Sequence, residues 1–243
     1  MSDTAASHPV IAVRAALDAA AHRAGRAPSD ITLVAVSKTF PAEAVRAAHT
    51  AGQRHFGENY VQEGCAKIDA LGDLEGAVWH FIGPLQSNKS RMVAEHFDWV
   101  HGIDRESIAR RLSDQRPAGK PPLKVCIQVN VSGEDTKSGV APEAVEPLAR
   151  AIVAMPHLEL RGLMAIPAPA EDPAAQRVPF AALRRLRDVL AAQGIALPDL
   201  SMGMSADYAA AVEEGATLVR IGSAIFGARQ PRAAETIAPG TAA

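Results

Sequence analysis

The chain has 243 residues, 48% of them hydrophobic, with a formal net charge of −2, enough apolar material for one substantial core arranged as one barrel or two small domains. Acidic and basic residues nearly balance and form no basic stripe, which argues against nucleic acid or an anionic membrane surface as a partner. The two cysteines, Cys65 and Cys126, form neither a disulfide framework nor a metal pattern, and without an apolar run of ~18 residues or a charged leader a cytoplasmic protein with no membrane attachment is expected.

A helical stretch over 10–23 precedes the first strand-like run at 31–37. From there short apolar runs alternate with amphipathic stretches. Strands are predicted near 53–57, 78–83, 98–103, 123–131, 158–166, 198–203 and 217–222, with helices over 42–51, 60–71, 87–97, 105–115, 142–155, 174–193 and 206–214. Such alternation predicts a parallel sheet, and eight β-α units in a chain of this length favour a closed (β/α)8 TIM barrel over an open doubly wound sheet. No linker divides the chain, so residues 1–229 read as a single barrel domain with an extra N-terminal helix, and residues 230–243 as a flexible tail. The segment Pro167-Ala-Pro-Ala-Glu-Asp-Pro173 reads as a mouth loop or lid.

Chemistry in a barrel sits at the C-terminal ends of its strands. The first strand closes on Lys38, which shares a face with Val34 and Val36. Desolvation at the end of a buried strand lowers a lysine pKa from ~10.4 and makes the neutral amine available for Schiff-base chemistry with an aldehyde. The alternative is a lysine that runs into solvent past Ser37. The second strand leads into Gly57-Glu-Asn-Tyr60, the third carries His80, and the fifth ends at Asn130. Taken singly, Asn59 also reads as a helix cap, His80 as a core histidine with satisfied bonds, and Asn130 as a residue bonding its own backbone.

The last two units are more specific. Met202-Gly-Met-Ser-Ala-Asp207 and Arg220-Ile-Gly-Ser-Ala-Ile-Phe-Gly227 bring Ser205, Gly222 and Ser223 into the loops after strands seven and eight. Glycine permits close backbone approach and amides at helix starts favour an anion, so these residues can cradle a phosphate where this fold commonly holds one. Reading both serines as N-caps leaves Gly222 and the neighbouring arginine unexplained. Arg220 lies inside the apolar run Leu218-Val-Arg-Ile221 and needs an acceptor, either a carboxylate such as Glu58 or a ligand. A lysine for an aldehyde, a cradle for a phosphate and an arginine between them describe a site for pyridoxal 5′-phosphate (PLP), with the guanidinium facing the pyridine nitrogen.

The same residues carry a family resemblance. Leu33-Val-Ala-Val-Ser-Lys-Thr39, Phe56-Gly-Glu-Asn-Tyr-Val-Gln-Glu63, His80-Phe-Ile-Gly-Pro-Leu-Gln-Ser-Asn-Lys89, Arg161-Gly-Leu-Met164, Leu200-Ser-Met-Gly-Met-Ser205 and Arg220 to Arg229 resemble the PLP homeostasis protein family, in order, from about residue 10 onward, with no departure at a ligand position. The resemblance implies a fold-type III PLP barrel like the N-terminal domain of alanine racemase. It implies Lys38 as the lysine that holds PLP as an internal aldimine, and Asn59, Met204, Ser205, Arg220, Gly222 and Ser223 as further cofactor-binding positions. It also implies a role in supplying or buffering PLP, apo PLP-dependent enzymes as recipients, and no established turnover.

The residue chemistry agrees with weak catalysis. An arginine at the pyridine nitrogen keeps that nitrogen unprotonated, because adjacent cations repel, and the cofactor becomes a poor electron sink. Racemisation needs a second acid/base on the opposite face of the Cα, and the chain has two tyrosines, Tyr60 and Tyr208, each reading also as a helix-start residue that packs its ring. Three readings therefore compete: a monomeric PLP carrier, a small amino-acid racemase, and a barrel enzyme whose Lys38 attacks a sugar carbonyl. His80 and Lys137 are secondary candidates, Lys137 because an amine in the loop after strand five can take part in releasing a covalently held aldehyde, although a solvated loop lysine is the plainer reading.

Overall fold

The computed structural model describes residues 8–133 and 138–228. Thr32–Val36 (β1), rich in β-branched residues that suit a pleated surface, pairs in parallel with both His55–Glu58 (β2) and Leu218–Ile221 (β8). The pairing continues through Val78–Phe81 (β3), Trp99–Ile103 (β4), Leu123–Gln128 (β5), Leu158–Met164 (β6) and Asp199–Ser201 (β7), and closes a parallel barrel in sequence order. The eight predicted strands are all present. The fifth stops at Gln128, since Val129 makes only an isolated bridge to Val140, and the seventh stops at Ser201, shortly before Gly203 turns the backbone to φ 88°.

Helices cover the outside: Pro9–Arg23 (α1), Ala42–Thr50 (α2), Val61–Ala70 (α3), Ser90–His96 (α4), Glu106–Gln115 (α5), Val145–Val153 (α6), Pro173–Ala192 (α7), Tyr208–Glu213 (α8) and Ser223–Phe226 (α9). Their inner stripes follow helical spacing: Ile108 and Leu112 on α5, and Leu148 and Ile152 on α6, are each four apart and buried against the strands. The start of α7 is fixed by Asp172, whose carboxylate accepts from the Ala175 amide at 3.0 Å, with Pro173 in the first turn. The extra N-terminal helix α1 packs against α8 and α9 and so covers the seam where the barrel closes.

Two apolar shells result. The larger lies between strands and helices and includes Phe56, Phe81, Phe97, Ile108 and Phe180. The smaller fills the barrel interior with Val34, Trp99, Cys126, Met164 and Leu218. Parallel partners in register share a face, so the pairings Val34 with Arg220, His80 with Trp99, and Ser201 with Leu218 turn Arg220, His80 and Ser201 into that interior as well. Both cysteines are buried and unpaired, and burial pushes the Cys65 thiol up to about 11. They are inert core thiols. Among the described residues no helix is long and apolar enough to cross a membrane, and no cluster of potential metal ligands occurs.

Candidate functional site

The mouth of the barrel holds a cavity of about 290 Å³. Its wall includes Lys38, Asn59, Met204, Ser205, Arg220, Gly222 and Ser223, together with Val36, Phe40, Ile82 and Ile166. Seven positions spread from 38 to 223 in sequence therefore meet in one space because each lies near or just beyond the C-terminal end of a strand of the closed barrel.

The half-buried Lys38 follows β1 in a turn that the core holds tightly. Ser37, fully buried, donates its hydroxyl to Glu58 Oε1 at 2.7 Å. Lys67, on α3 and also buried, donates to the Ser37 carbonyl at 2.7 Å, to Glu58 Oε1 at 2.8 Å and to Glu63 Oε1 at 2.8 Å. Glu63 Oε1 in turn accepts from the Thr39 amide at 2.5 Å. Thr39 sits at φ 69°, a left-handed conformation that a β-branched residue adopts only when its surroundings force it. The residues on either side of Lys38 are thus gripped by one ammonium and one carboxylate. Burial pushes the Glu58 carboxyl up, opposed first by the Lys67 charge and then by its bonds to Lys67 and Ser37.

Arg220 is 4% exposed. It donates to Ser201 Oγ at 2.6 Å and to the Ala165 carbonyl at 3.0 Å, and among the described residues it makes no ion pair. Glu58 is not its partner: that carboxylate is committed to Lys67 and Ser37, on the strand-helix side of β2. Burial lowers the Arg220 pKa to about 10, partly offset by Asp207. At neutral pH it remains a cation.

Across the cavity, Ser205 and Ser223 are exposed and their hydroxyl oxygens stand 3.5 Å apart. Neither is an N-cap: Asp207 and Gly222 occupy those positions on α8 and α9, without a side-chain cap bond. Gly222 lies in a tight approach to β1. A Cβ there would stand 3.0 Å from the Val36 carbonyl oxygen and 3.3 Å from Val36 Cβ, so a side chain would push the β8 loop away from β1. Gly83 plays a similar part below Asn59, whose backbone oxygen would lie 2.3 Å from an added Cβ. The Asn59 side-chain oxygen is buried with no hydrogen-bond partner among the described residues.

A family model described as alanine racemase, N-terminal domain, matches residues 11–230. The pyridoxal phosphate homeostasis protein of Pseudomonas aeruginosa is 59% identical over 89% of this chain and 93% of its own, and that of Escherichia coli K12 is 54% identical over 94% and 98%. The chain belongs to the pyridoxal phosphate homeostasis protein family. Among solved structures, that of PipY from Synechococcus elongatus PCC7942 with PLP bound superposes with a TM-score of 0.76, at 40% identity over 86% of this chain and 98% of PipY.

Against that family background, one described sequence candidate stands apart from the cavity. His80 is fully buried in the barrel interior, stacked on Trp99 at 5.4 Å between ring centroids, with its ring nitrogens bonded to His55 and His101. Lys137 lies outside the described residues, as does the segment 230–243. In the loop after β5, Asn130 Oδ1 accepts from the Gly133 amide at 3.1 Å. Sequence reasoning missed the Lys67 clamp. The spacing Glu63 to Lys67 is an i,i+4 pair that reads as an exposed helix ornament, and its inward direction follows only from α3 packing onto β2.

Proposed function

We propose that the protein binds PLP reversibly, covalently through Lys38, and acts in PLP supply without substantial turnover of its own. The observation that carries this reading is the convergence of an amine, a buried guanidinium and two adjacent hydroxyls on a single cavity of about 290 Å³. The residues suit the group. A phosphate needs donors in open reach, which the Ser205 and Ser223 hydroxyls and the amides beside Gly222 supply; the ring needs apolar walls, given by Val36, Ile82 and Ile166; and the buried, unpartnered Asn59 oxygen awaits a donor. When bound, PLP supplies an aldehyde with which a neutral amine condenses.

The chain's own residues then divide the work. The Lys67–Glu63 clamp aims Lys38 into the cavity, Ser205 and Ser223 hold the phosphate end, and Arg220 lies between them as a fixed cation that disfavours a proton on the ring nitrogen. A racemase reading lacks support at the second acid/base: Tyr60 is 45% exposed at the start of α3, Tyr208 begins α8, and neither is part of the cavity wall. Apo PLP-dependent enzymes are the recipients in this reading.

The test is spectroscopic. Purified protein given PLP is expected to develop a visible absorbance band that borohydride abolishes, with the added mass on the peptide containing Lys38, and to pass PLP to an acceptor apoenzyme. A colourless protein without a reducible adduct refutes the reading, and rapid racemisation of amino acids refutes the carrier role.

A further inference from the structure

Barrel interiors are usually filled by apolar side chains, yet a polar chain crosses this one. His55 Nδ1 lies 2.9 Å from His80 Nε2, His80 Nδ1 lies 2.9 Å from His101 Nε2, and His101 Nδ1 lies 2.7 Å from Ser201 Oγ. Arg220 then donates to the same Ser201 oxygen at 2.6 Å. The chain starts at the N-terminal end of β2, beside an open groove walled by Arg14 and Arg54, and ends at the guanidinium in the mouth cavity. His80, His101 and Ser201 are fully buried.

The direction of these bonds follows from counting protons. Burial holds His80 well below the usual histidine range and His101 down to about 3, in the second case reinforced by the Arg220 charge. His55 is lowered too, by burial and then by Arg14 and Lys124, against Asp98. Each ring is therefore neutral, with one donor and one acceptor. Ser201 has one proton and two lone pairs, and Arg220 occupies a lone pair. The described residues give the Ser201 proton a single destination, His101 Nδ1. His101 must then carry its proton on Nε2 and donate to His80, and His80 must carry its own on Nε2 and donate to His55. The opposite order leaves a buried hydroxyl proton without an acceptor, which folded proteins avoid.

We propose that this chain is a one-way hydrogen-bond relay, with all three imidazoles as Nε2–H tautomers, and that His101, His80 and His55 act through Ser201 as positioning residues for Arg220. By drawing the Ser201 proton away, the imidazoles leave a polarised lone pair facing the guanidinium, and bonds aligned in one direction strengthen one another. The guanidinium is thereby held where the ring nitrogen of the cofactor would meet it, a consequence that rests on the PLP reading above.

Two measurements test this. On the cofactor-free protein at neutral pH, the ¹⁵N shifts of the three rings, assigned with His55→Gln, His80→Gln and His101→Gln, are expected to show a protonated Nε2 and a bare Nδ1 in every case. One Nδ1–H tautomer or one imidazolium among them overturns the relay. In binding, Ser201→Ala is expected to weaken PLP by about tenfold while leaving 1-deaza-PLP, which has a C–H in place of the ring nitrogen, nearly unchanged. His101→Phe, which keeps the Ser201 hydroxyl, is expected to lower the preference for PLP over the deaza analogue in the same direction. Equal losses for both ligands overturn the positioning role and leave the chain a packing feature. Wild-type protein that binds neither ligand overturns the cofactor reading and the positioning role with it, while the ¹⁵N shifts decide the relay independently.

Discussion

Lys67→Met probes the clamp beneath Lys38 most directly. Methionine keeps the length and apolar stem of lysine and removes the ammonium that three acceptors share: the Ser37 carbonyl, Glu58 and Glu63. Glu58 has no exposed surface, and its Oε2 is already without a partner among the described residues, so the variant leaves a buried carboxylate supported by one hydroxyl. Removing one side of a buried ion pair costs ~3–5 kcal/mol. At ~2–4 °C per kcal/mol for a chain of this size, the melting temperature falls by ~6–20 °C at neutral pH. The pH dependence has a definite sign. The folded-state pKa of Glu58 is raised by burial, and loss of Lys67 raises it further. A carboxyl with a folded pKa above its unfolded value stabilises the fold below the unfolded pKa, and that contribution is lost as pH rises through the folded one. The deficit of the variant is therefore smallest near pH ~4, where Glu58 is protonated in both proteins, and grows toward pH ~8. Denaturant melts followed by circular dichroism across that range give the difference at each pH. Glu58→Gln combined with Lys67→Met is expected to recover part of the loss, since no charge is then buried. A deficit that does not change with pH, or a double variant less stable than Lys67→Met, would refute the reasoning.

Lys38→Ala is expected to abolish the borohydride-reducible PLP adduct with an unchanged far-ultraviolet spectrum, because it alters the cavity wall and not the core; mass spectrometry after reduction checks it. Ser205→Ala and Ser223→Ala are each expected to weaken PLP by ~1–2 kcal/mol, one hydrogen bond to a charged acceptor apiece, with no effect on pyridoxal, as titration of both ligands will show. Gly222→Ala, forced against Val36 by the 3.0 Å approach to its carbonyl, is expected to lower PLP affinity more than either serine variant. Lys137→Ala is expected to leave the Lys38 adduct at full occupancy and to slow transfer to an acceptor apoenzyme, measured by stopped-flow absorbance.

The parts of this molecule that sequence reveals are those set by local periodicity and by position along a strand. All eight strands appear as apolar runs, and because each site residue lies near or just beyond the C-terminal end of a strand, closing the barrel in order was enough to bring Lys38, Asn59, Arg220 and the two serines together. The parts it hides depend on which neighbour a side chain meets across the fold. Lys67 and Glu63 share a helix face, but the burial of that face comes from packing on β2. His55, His80 and His101 fall one per strand on β2, β3 and β4, and of these His80 alone stands out in the sequence. That they touch, and that the chain continues to Ser201 on β7, follows only once the sheet closes and the side chains of His101 and Ser201 meet across the interior at 2.7 Å. Glu58 shows the same limit from the other side: as a carboxylate near the mouth it suited Arg220 on paper, and the pleat directs it to Lys67 instead.

The distribution of burial around the cavity bears on why such a site would hold a cofactor and yet give it up. Its supports are buried: Arg220 in the wall is held by Ser201, and behind Lys38 the buried Ser37, Glu58 and Lys67 hydrogen-bond one another across elements. Its rim is open, with Met204, Ser205 and Ser223 exposed and Lys38 half-buried. Carbanion catalysis calls for closure that expels water and completes a second acid/base. A holder that must surrender its cargo needs the reverse: a preformed floor that fixes orientation at little ordering cost, and a rim where water and an incoming amine reach the covalent bond. In the proposed reading the phosphate meets two exposed hydroxyls, and such hydrogen bonds are ones that water can replace one at a time. In the proposed reading, buried supports behind an open rim suit capture and release without unfolding any part of the barrel.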